Sequence, residues 1–257
     1  MIDIEYLKSF YPPYISGNPS MQKNILKEYI ELLVLDYLVT TPYMQKLTFI
    51  GGTNLRLIKG VQRFSEDLDF DCKNLTESEF IKMTDSVVSF LKANGLNAET
   101  KDKENPKLTA FRRNIVFPGL LYDMNLTKHK EERFLLKIEA QDQGVDYVRE
   151  VKTINRNGFH FMIPSPSDAT ICAMKLVTVI KRSKGRDFYD SMFLMQQTTP
   201  DYNFLEAKTG ISNVEQLKSA IKSTLSKTDL HIKQKDFEHL VFNPNSSNCI
   251  LDFKIPF

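Results

Sequence analysis

The alternation of apolar and polar positions predicts helices and strands in the first half of the chain. Apolar residues recur at helical spacing, with charges between them, over residues 22–38 and again over residues 77–91, which predicts two amphipathic helices. Residues 46–50 form a short apolar run that ends at a double glycine, and residues 67–72 alternate acidic and apolar side chains. Both runs favour strands, and a short helix is expected between them over residues 53–59.

Further strands and then helices are predicted along the rest of the chain. Between residues 96 and 151, strands separated by polar turns are predicted at 97–101, 108–117, 120–126 and 133–140. Beyond Pro166, helices are expected over residues 169–181 and 186–197, with Ser167 as a cap, followed by shorter helices. The chain is therefore expected to mix α and β elements to about residue 165 and to be mostly helical afterwards.

The composition is that of an ordinary globular protein. Hydrophobic residues make up 42% and charged residues 26% of the chain, which excludes a disordered or fibrous protein. No apolar run is long enough for a membrane span and the first residues lack a secretory pattern, so a soluble cytoplasmic protein is expected. The three cysteines and four histidines form no ligand motif, which argues against a zinc hydrolase.

Charge is unevenly distributed, although the net charge is only +2. Residues 61–100 carry four basic and eight acidic groups, whereas residues 175–186 carry five basic groups and no acid. Residues 101–113 carry five basic groups against two acids. One acidic and two basic stretches in a nearly neutral chain favour a site that binds a metal and a phosphate together.

A glycine turn and a pair of carboxylates lie close together in the sequence. The first expected strand runs into Gly51 and Gly52, whose missing side chains let a phosphate approach the backbone. The helix that follows offers unpaired backbone N–H groups, and Thr53 adds a hydroxyl. Asp67 and Asp69 follow on a strand, where a spacing of two places both carboxylates on one face. Neighbouring carboxylates repel each other unless a cation lies between them, and magnesium is the usual one.

A second chemically distinctive segment covers residues 174–190. Lys175 and Arg182 are two helical turns apart and so share a face, and Arg186 and Asp187 follow at the start of the next helix. Most of the helix surface around Lys175 is apolar, which favours a lysine that points into a cleft. A basic helix opposite an acidic strand suits a bound triphosphate, and a solvated basic helix capped by Asp187 is the alternative.

The order of strand, double glycine, helix and acidic strand resembles the nucleotidyltransferases of the DNA polymerase β type. With the blocks GGTNLRL, RFSEDLDF, LKIEA and KRSKGRDFYD, the chain is similar to the AbiEii/AbiGii toxin family, whose relatives include the MenT toxins. The resemblance implies an α+β fold. Its nucleotidyltransferase core, a mixed sheet with flanking helices and an N-terminal helix, would span residues 1–165, and a mostly helical C-terminal domain would span residues 166–257.

The resemblance also implies roles for individual residues. Asp67 and Asp69 would hold Mg²⁺, or Mn²⁺ in its place. The residues expected to bind the nucleoside triphosphate are Gly51, Gly52, Thr53, Arg56, Arg63, Ser65, Lys175, Arg182 and Arg186. The residues expected to act in catalysis are Asp67, Asp69, Glu139, Lys175 and Asp187. Asp187 serves either as a catalytic carboxylate or as the group that orients Arg186.

Nucleotidyltransferases of this type usually take a third metal-binding carboxylate from a neighbouring strand. Glu139 is the strongest candidate, because it shares a strand face with Lys137 while the intervening Ile138 points to the other face. A salt-bridged, half-exposed strand explains Glu139 equally well. Asp123 is a weaker candidate for the third carboxylate.

The implied function is that of a toxin in a type IV toxin–antitoxin or abortive-infection system, with a separately encoded antitoxin. The expected reaction moves a nucleoside monophosphate from an NTP to an acceptor, and the expected acceptor is the 3′ end of tRNA. GTP binding without transfer and a kinase-like phosphotransfer are the alternatives. An RNA backbone could follow the basic residues Lys101, Lys103, Lys107, Arg112 and Arg113, although a solvated basic hairpin is the simpler explanation.

Overall fold

The structure is a computed structural model that describes residues 2–101 and 109–257. The chain forms two compact units. The first comprises Met1–Ile58, Phe64–Gln143 and Val151–Ser165, and the second comprises Lys59–Arg63, Gly144–Glu150 and Pro166–Phe257. No helix in the described part of the chain combines the length and apolar character that crossing a membrane requires.

The first unit contains the long helices expected from the sequence. Its helices are α1 (Ile4–Lys8), α2 (Pro13–Ser16), α3 (Pro19–Val39), α4 (Gly51–Asn54), α5 (Glu77–Ala93) and α6 (Leu120–Asp123). Asn18 caps α3, and Pro19 suits its first turn because no helical N–H is lost there. Thr76 and Glu79 form a capping box at the start of α5. The helices expected over residues 22–38 and 77–91 correspond to α3 and α5.

A mixed five-stranded sheet forms the centre of the first unit. Its strands are β1 (Leu47–Ile50), β2 (Asp67–Cys72), β3 (Glu99–Thr100), β4 (Phe111–Val116) and β5 (Leu135–Gln141), in the order β1-β2-β5-β4-β3. Only β2 and β5 run parallel, and the other neighbours are antiparallel. Leu68, Phe70 and Ile138 are buried, so the intervening polar residues of β2 and β5 occupy the opposite face.

A hairpin of β6 (Arg149–Arg156) and β7 (Phe159–Pro166) follows the sheet. Asn157 and Gly158 form its turn with φ angles of 51° and 86°. Asparagine followed by glycine is a favoured pair where both turn residues need positive φ. This dipeptide was the sequence signal for a hairpin that the periodicity alone did not predict.

The second unit is mostly helical, as expected. Its helices are α7 (Asp168–Arg182), α8 (Gly185–Met195), α9 (Tyr202–Thr209), α10 (Val214–Leu225) and α11 (Leu230–Lys235), and a 3-10 segment covers Pro244–Asp252. Ser167 caps α7 by accepting a hydrogen bond from the backbone N–H of Thr170. A Cβ on Gly185 would lie 1.8 Å from the carbonyl oxygen of Lys233, so α8 and α11 meet backbone to backbone there.

One local prediction was wrong. The run 120–126 was expected as a strand, but Leu120–Asp123 is a single helical turn. Gly119 precedes it and Asn125 follows it, both with positive φ, and these left-handed residues interrupt any extended run. The short helix expected over residues 53–59 is present; it begins two residues earlier, as α4, and continues as a π-helical turn over Leu55–Lys59.

The mixed sheet, its flanking helices and the helical C-terminal region confirm the predicted α+β class.

Candidate functional site

The polar face of β2 carries the carboxylates that the sequence singled out. Asp67 and Asp69 are part-exposed, whereas Leu68 between them is fully buried. Asp69 lies opposite Ile50 of β1 on one side and opposite Glu139 of β5 on the other. The sheet register therefore places Glu139, the predicted third carboxylate, next to Asp69 on the adjacent strand.

The glycine turn lies directly against this face. Gly51 has a φ of +83°, and a Cβ built on it would lie 2.2 Å from Oδ2 of Asp69. An L side chain is therefore disfavoured at residue 51 both by backbone conformation and by lack of space. The glycine turn and the acidic strand, separated by more than ten residues in the sequence, form one continuous structure.

Buried polar side chains hold α4 in place behind the glycine turn. The Thr53 hydroxyl donates a hydrogen bond of 2.5 Å to the carbonyl oxygen of Asp67. Asn54 is fully buried, and its amide nitrogen donates to the carbonyl of Phe49 at 2.7 Å and to the Ser165 hydroxyl at 2.9 Å. The hydroxyl proton of Thr53 is thus committed to the protein backbone, and a contact with triphosphate stays a prediction.

Two basic side chains lie among the carboxylates. Lys137 Nζ is 2.8 Å from Oδ2 of Asp67 and 3.8 Å from Oε1 of Glu139. Arg112 pairs with the same Glu139 oxygen. The salt-bridged strand, which the sequence left as an alternative for Glu139, is therefore present. These cations offset the repulsion between the carboxylates.

The chemistry of Asp67 and Asp69 fits a divalent metal bound together with a substrate. Across residues 2–101 and 109–257, no three His, Cys, Asp or Glu side chains are grouped to hold a metal ion by themselves. Magnesium in nucleotide enzymes is commonly held by one or two carboxylates and completed by substrate phosphates and water. Two part-exposed carboxylates beside a glycine turn match that donor set, and metal ligation by Glu139 stays a prediction.

The remaining acids near the sheet have other surroundings. Asp71 is buried and accepts a hydrogen bond of 2.8 Å from the backbone N–H of Gln143. Asp123, the weaker candidate for the third carboxylate, is an exposed residue of α6 rather than part of a strand beside β2.

Arg56 belongs to a buried ion-pair network under the π-helical turn. Its guanidinium donates to both oxygens of Glu28, at 2.6 and 3.2 Å. Tyr11 donates a hydrogen bond of 2.9 Å to Glu28, and Arg156 lies 3.6 Å from the same carboxylate. Burial and the charge of Glu28 raise the pKa of Tyr11 above its ordinary range. The Arg56 guanidinium also packs over the Phe64 ring, with its carbon 5.7 Å from the ring centroid. Arg56 thus braces the segment after the glycine turn.

Arg63 and Lys175, both predicted to bind nucleotide, meet in the second unit on one buried carboxylate. Arg63 is fully buried and donates to both oxygens of Asp190, at 2.7 and 2.6 Å. Lys175 Nζ lies 2.8 Å from Oδ2 of Asp190. Burial alone would raise the pKa of Asp190, but the two cations outweigh it and lower that pKa to about 2. The sequence pattern did not identify Asp190 as their common partner.

Asp187 holds the side chain of Arg182. The carboxylate of Asp187 is fully buried and accepts hydrogen bonds from Arg182 Nε and Nη2 at 2.9 and 2.8 Å. It also accepts from the backbone N–H of Lys184 at 3.2 Å, at the start of α8. Arg186 lies in the first turn of that helix. A catalytic role for Asp187 and nucleotide contacts by Arg182 and Arg186 stay predictions.

Ser65 lies just before β2 and is buried, with 7% of its surface exposed. A contact between Ser65 and the nucleotide also stays a prediction.

Glu31 is a buried acid near this site that sequence reasoning missed. It belongs to α3, and neither of its carboxylate oxygens has a hydrogen-bond partner among residues 2–101 and 109–257. Burial raises the pKa of Glu31 well above its ordinary range. The positive charge of Lys27 lowers that pKa, whereas the negative charges of Glu28, Asp67 and Glu66 raise it further. The only sequence signal was an acid inside an otherwise apolar stretch of the helix.

Only part of the basic stretch predicted over residues 101–113 lies among the described residues. Lys103 and Lys107 lie outside the described residues. Arg112 pairs with Glu139, and Arg113 pairs with Asp85 of α5. Both arginines therefore take part in ion pairs on the first unit.

Comparisons with known proteins identify the family and the fold. A family model described as nucleotidyl transferase AbiEii toxin, type IV toxin–antitoxin system, matches residues 33–245. MenT4, a nucleotidyltransferase toxin from Mycobacterium tuberculosis, superposes with a TM-score of 0.58 at 15% identity, over 99% of this chain and 100% of that one. A putative nucleotidyltransferase from H. pylori superposes with a TM-score of 0.52 at 22% identity, over 82% of this chain and 80% of that one. No curated protein matches the chain.

Proposed function

Because this chain belongs to the AbiEii family of nucleotidyltransferase toxins, we propose that it moves a nucleoside monophosphate from an NTP to the 3′ end of tRNA and thereby blocks translation. The observation that carries the proposal is the contact of the Gly51 turn with Asp69. It places a backbone able to approach phosphate beside two carboxylates able to bind a cation.

In the proposed reaction, the terminal 3′-hydroxyl of the RNA attacks the α-phosphorus of the bound NTP. A new ester bond forms, the bond from the α-phosphorus to its bridging oxygen breaks, and pyrophosphate leaves. The backbone at Gly51 and Gly52 receives the triphosphate, and Asp67 and Asp69 hold a divalent cation. When bound, that cation supplies charge stabilisation to the phosphate oxygens.

Two basic side chains that pair with the carboxylates of β2 and β5 also take part in the proposed reaction. Lys137 pairs with Asp67, and Arg112 pairs with Glu139. On NTP binding, the two basic side chains turn to phosphate oxygens, where donors aimed at developing negative charge lower the barrier. Glu139, released from Arg112, then accepts the proton of the attacking hydroxyl.

Labelled nucleotides test the reaction class. Purified protein is incubated with Mg²⁺ or Mn²⁺, total bacterial RNA and each NTP carrying ³²P at the α-position, then at the γ-position. Label from an α-position in a band of tRNA size is the expected result. Label from the γ-position alone would instead show a kinase-like phosphotransferase, and tight GTP binding with no labelled product would show a binding module.

A variant pair controls this assay. Asp67→Asn/Asp69→Asn removes the two charges with little change in shape and should abolish labelling. Glu77→Gln changes an exposed acid at the start of α5 and should retain it. Equal labelling by the double variant would contradict the proposed role of β2.

The family also implies a separately encoded antitoxin. Expression of this protein alone should arrest bacterial growth, and co-expression of the antitoxin should restore it. Growth arrest by the Asp67→Asn/Asp69→Asn variant would show that toxicity does not require transfer.

A further inference from the structure

A groove of about 660 Å³ opens in the second unit between the end of α7, α10 and α11. Its apolar lining comes from Ile180, Ala220 and Ile232, and basic side chains of Arg182, Lys227 and Lys233 join them. The residues that line the groove are spread over three helices and the segments beside them, so no single sequence motif marks it.

Charge in the groove favours an anionic ligand. Three basic residues line the groove, and Asp229 is the one acid among its described lining residues. The Asp229 carboxylate is engaged in capping α11, where it accepts hydrogen bonds from the backbone N–H groups of residues 231 and 232 at 2.9 and 3.2 Å. The surrounding segment extends the same charge, since residues 214–235 contain five lysines and two acids.

The basic groups remain accessible to a ligand. The Arg182 side chain is 45% exposed although the buried carboxylate of Asp187 fixes its position. A guanidinium held in this way loses little conformational entropy when it binds a phosphate. Lys227 is exposed, and Lys233 is half-buried and forms a long ion pair of 3.6 Å with Asp236.

Serine and threonine hydroxyl oxygens in the groove can accept hydrogen bonds. Ser183 donates its proton to the carbonyl of Val179 at 2.8 Å, and Thr224 donates to Ala220 at 3.0 Å. Thr228 donates to the carbonyl of Thr224 at 2.8 Å. With their protons engaged, the hydroxyl oxygens accept hydrogen bonds from a ligand. A ribose 2′-hydroxyl is such a donor, and it separates RNA from DNA.

We propose that this groove binds the sugar–phosphate backbone of the RNA acceptor. The inference rests on the proposed function for the choice of RNA, and it adds the place where the acceptor docks. Phosphates pair with Arg182, Lys227 and Lys233, and 2′-hydroxyls donate to the threonine and serine oxygens. The eleven described residues that line the groove include no aromatic side chain, so the groove holds the backbone without stacking bases.

Binding of fluorescein-labelled tRNA to the full chain tests the proposal by anisotropy. Lys227→Glu/Lys233→Glu reverses two charges in the groove. The matched control, Lys92→Glu/Lys254→Glu, makes the same charge change at exposed positions outside it. The groove variant should bind tRNA at least about tenfold more weakly, and the control should change binding less than about threefold.

Two further readouts separate a backbone site from a general charge effect. The slope of log Kd against log salt concentration should fall by about 1.5 to 2 in the groove variant, as expected for two lost phosphate contacts. DNA of the same sequence should bind the wild type more weakly than RNA does, because it lacks the 2′-hydroxyl. NTP affinity should be unchanged in the groove variant.

The outcomes distinguish this inference from the proposed function. If the wild type labels RNA but the groove variant binds tRNA as tightly as the control, the docking site is wrong and the transfer activity stands. If the wild type labels no RNA, the proposed function fails, and tRNA binding alone decides the groove. Polyglutamate that binds more tightly than tRNA, and that the groove variant no longer binds, would overturn the assignment to RNA.

A neutral pair, Lys227→Gln/Lys233→Gln, replaces the charge-reversed variant if circular dichroism shows that the latter is unfolded. The neutral pair should weaken tRNA binding by an intermediate factor. Unchanged binding by a folded neutral pair would overturn the docking site.

Discussion

Gly51 and Asp69 are packed so closely that a single added Cβ on Gly51 would lie 2.2 Å from Oδ2 of the carboxylate. The antiparallel register of β1 and β2, which pairs Ile50 with Asp69, brings them together. The positions of the proposed phosphate-binding turn and of the proposed metal ligand are therefore coupled. A change in one displaces the other.

Gly51→Ala tests this coupling. The substitution introduces a Cβ both at a φ of +83° and against Asp69, so we expect loss of about 1–2 kcal/mol of stability from backbone strain and more from the clash. Urea unfolding measures the stability, and transfer of labelled nucleotide measures the activity, which should fall at least about tenfold.

Gly60→Ala is the matched control for Gly51→Ala. Gly60 has a φ of +73°, but a Cβ there would have no neighbour within 4 Å in the part of the chain that the structure describes. Gly60→Ala should lose stability from backbone strain but keep the wild-type rate of nucleotide transfer. Equal transfer rates for the two variants would show that the space beside Asp69 does not matter.

Asp190 is expected to be essential for the stability of the second unit. Asp190→Asn leaves Arg63 and Lys175 buried without their counter-charge, which should cost about 3–5 kcal/mol in the free energy of unfolding. Asp142→Asn, which breaks an exposed pair with Lys73, should cost less than about 1 kcal/mol. A small effect at Asp190 would mean that water reaches the pair.

The same pair has a defined pH dependence. Because the folded pKa of Asp190 is about 2, below the ordinary 3.8, its contribution is fully present above pH 4 and is lost as the pH falls toward 2. Wild type should therefore lose its advantage over Asp190→Asn in acid. An advantage that stays constant from pH 6 to pH 2.5 would contradict the ion pair.

Glu31→Gln is expected to stabilise the protein at neutral pH. Glu31 has a raised pKa in the folded state, so between its unfolded and folded pKa values the unfolded chain loses a proton that the folded chain retains. Wild-type stability therefore falls with rising pH by about 1.4 kcal/mol per unit over that interval, and glutamine does not titrate. Urea unfolding from pH 4 to pH 8 should give a gap between variant and wild type that opens above about pH 5. A stability difference between variant and wild type that does not change with pH would contradict a protonated Glu31 in the folded state.

Tyr11→Phe should weaken the network that holds Arg56. The Tyr11 hydroxyl donates to Glu28 and accepts from Asn157, both at 2.9 Å, so its removal should cost about 1–2 kcal/mol. Tyr14→Phe removes a hydroxyl from a side chain that is 63% exposed and should be neutral in thermal unfolding. Equal melting temperatures for the two variants would show that the network contributes little.

Local chemistry made part of the site predictable from the sequence. The alternation around Asp67 and Asp69 fixes which side chains share a face, and the same argument places Glu139 with Lys137. The double glycine also marks its own turn. These inferences need only strand periodicity and the conformational freedom of glycine.

Partners distant in the sequence were not predictable in this way. Asp190 meets Arg63 across 127 positions, and Glu28 meets Arg56 across 28, so only the tertiary fold identifies these pairs. Glu31 is an acid inside an apolar stretch of the sequence, and only the fold shows that its side chain is buried. At residues 120–126, left-handed residues at both ends outweighed the apolar content that favoured a strand.

Sequencing of tRNA 3′ ends after incubation with NTPs and a divalent cation tests the central claim most directly. With wild-type protein, we expect additional nucleotides at the 3′ end of tRNA, and none with folded Asp67→Asn/Asp69→Asn. Unextended 3′ ends with the wild type, in a preparation that arrests growth when expressed, would contradict nucleotidyl transfer to tRNA as the activity of this protein.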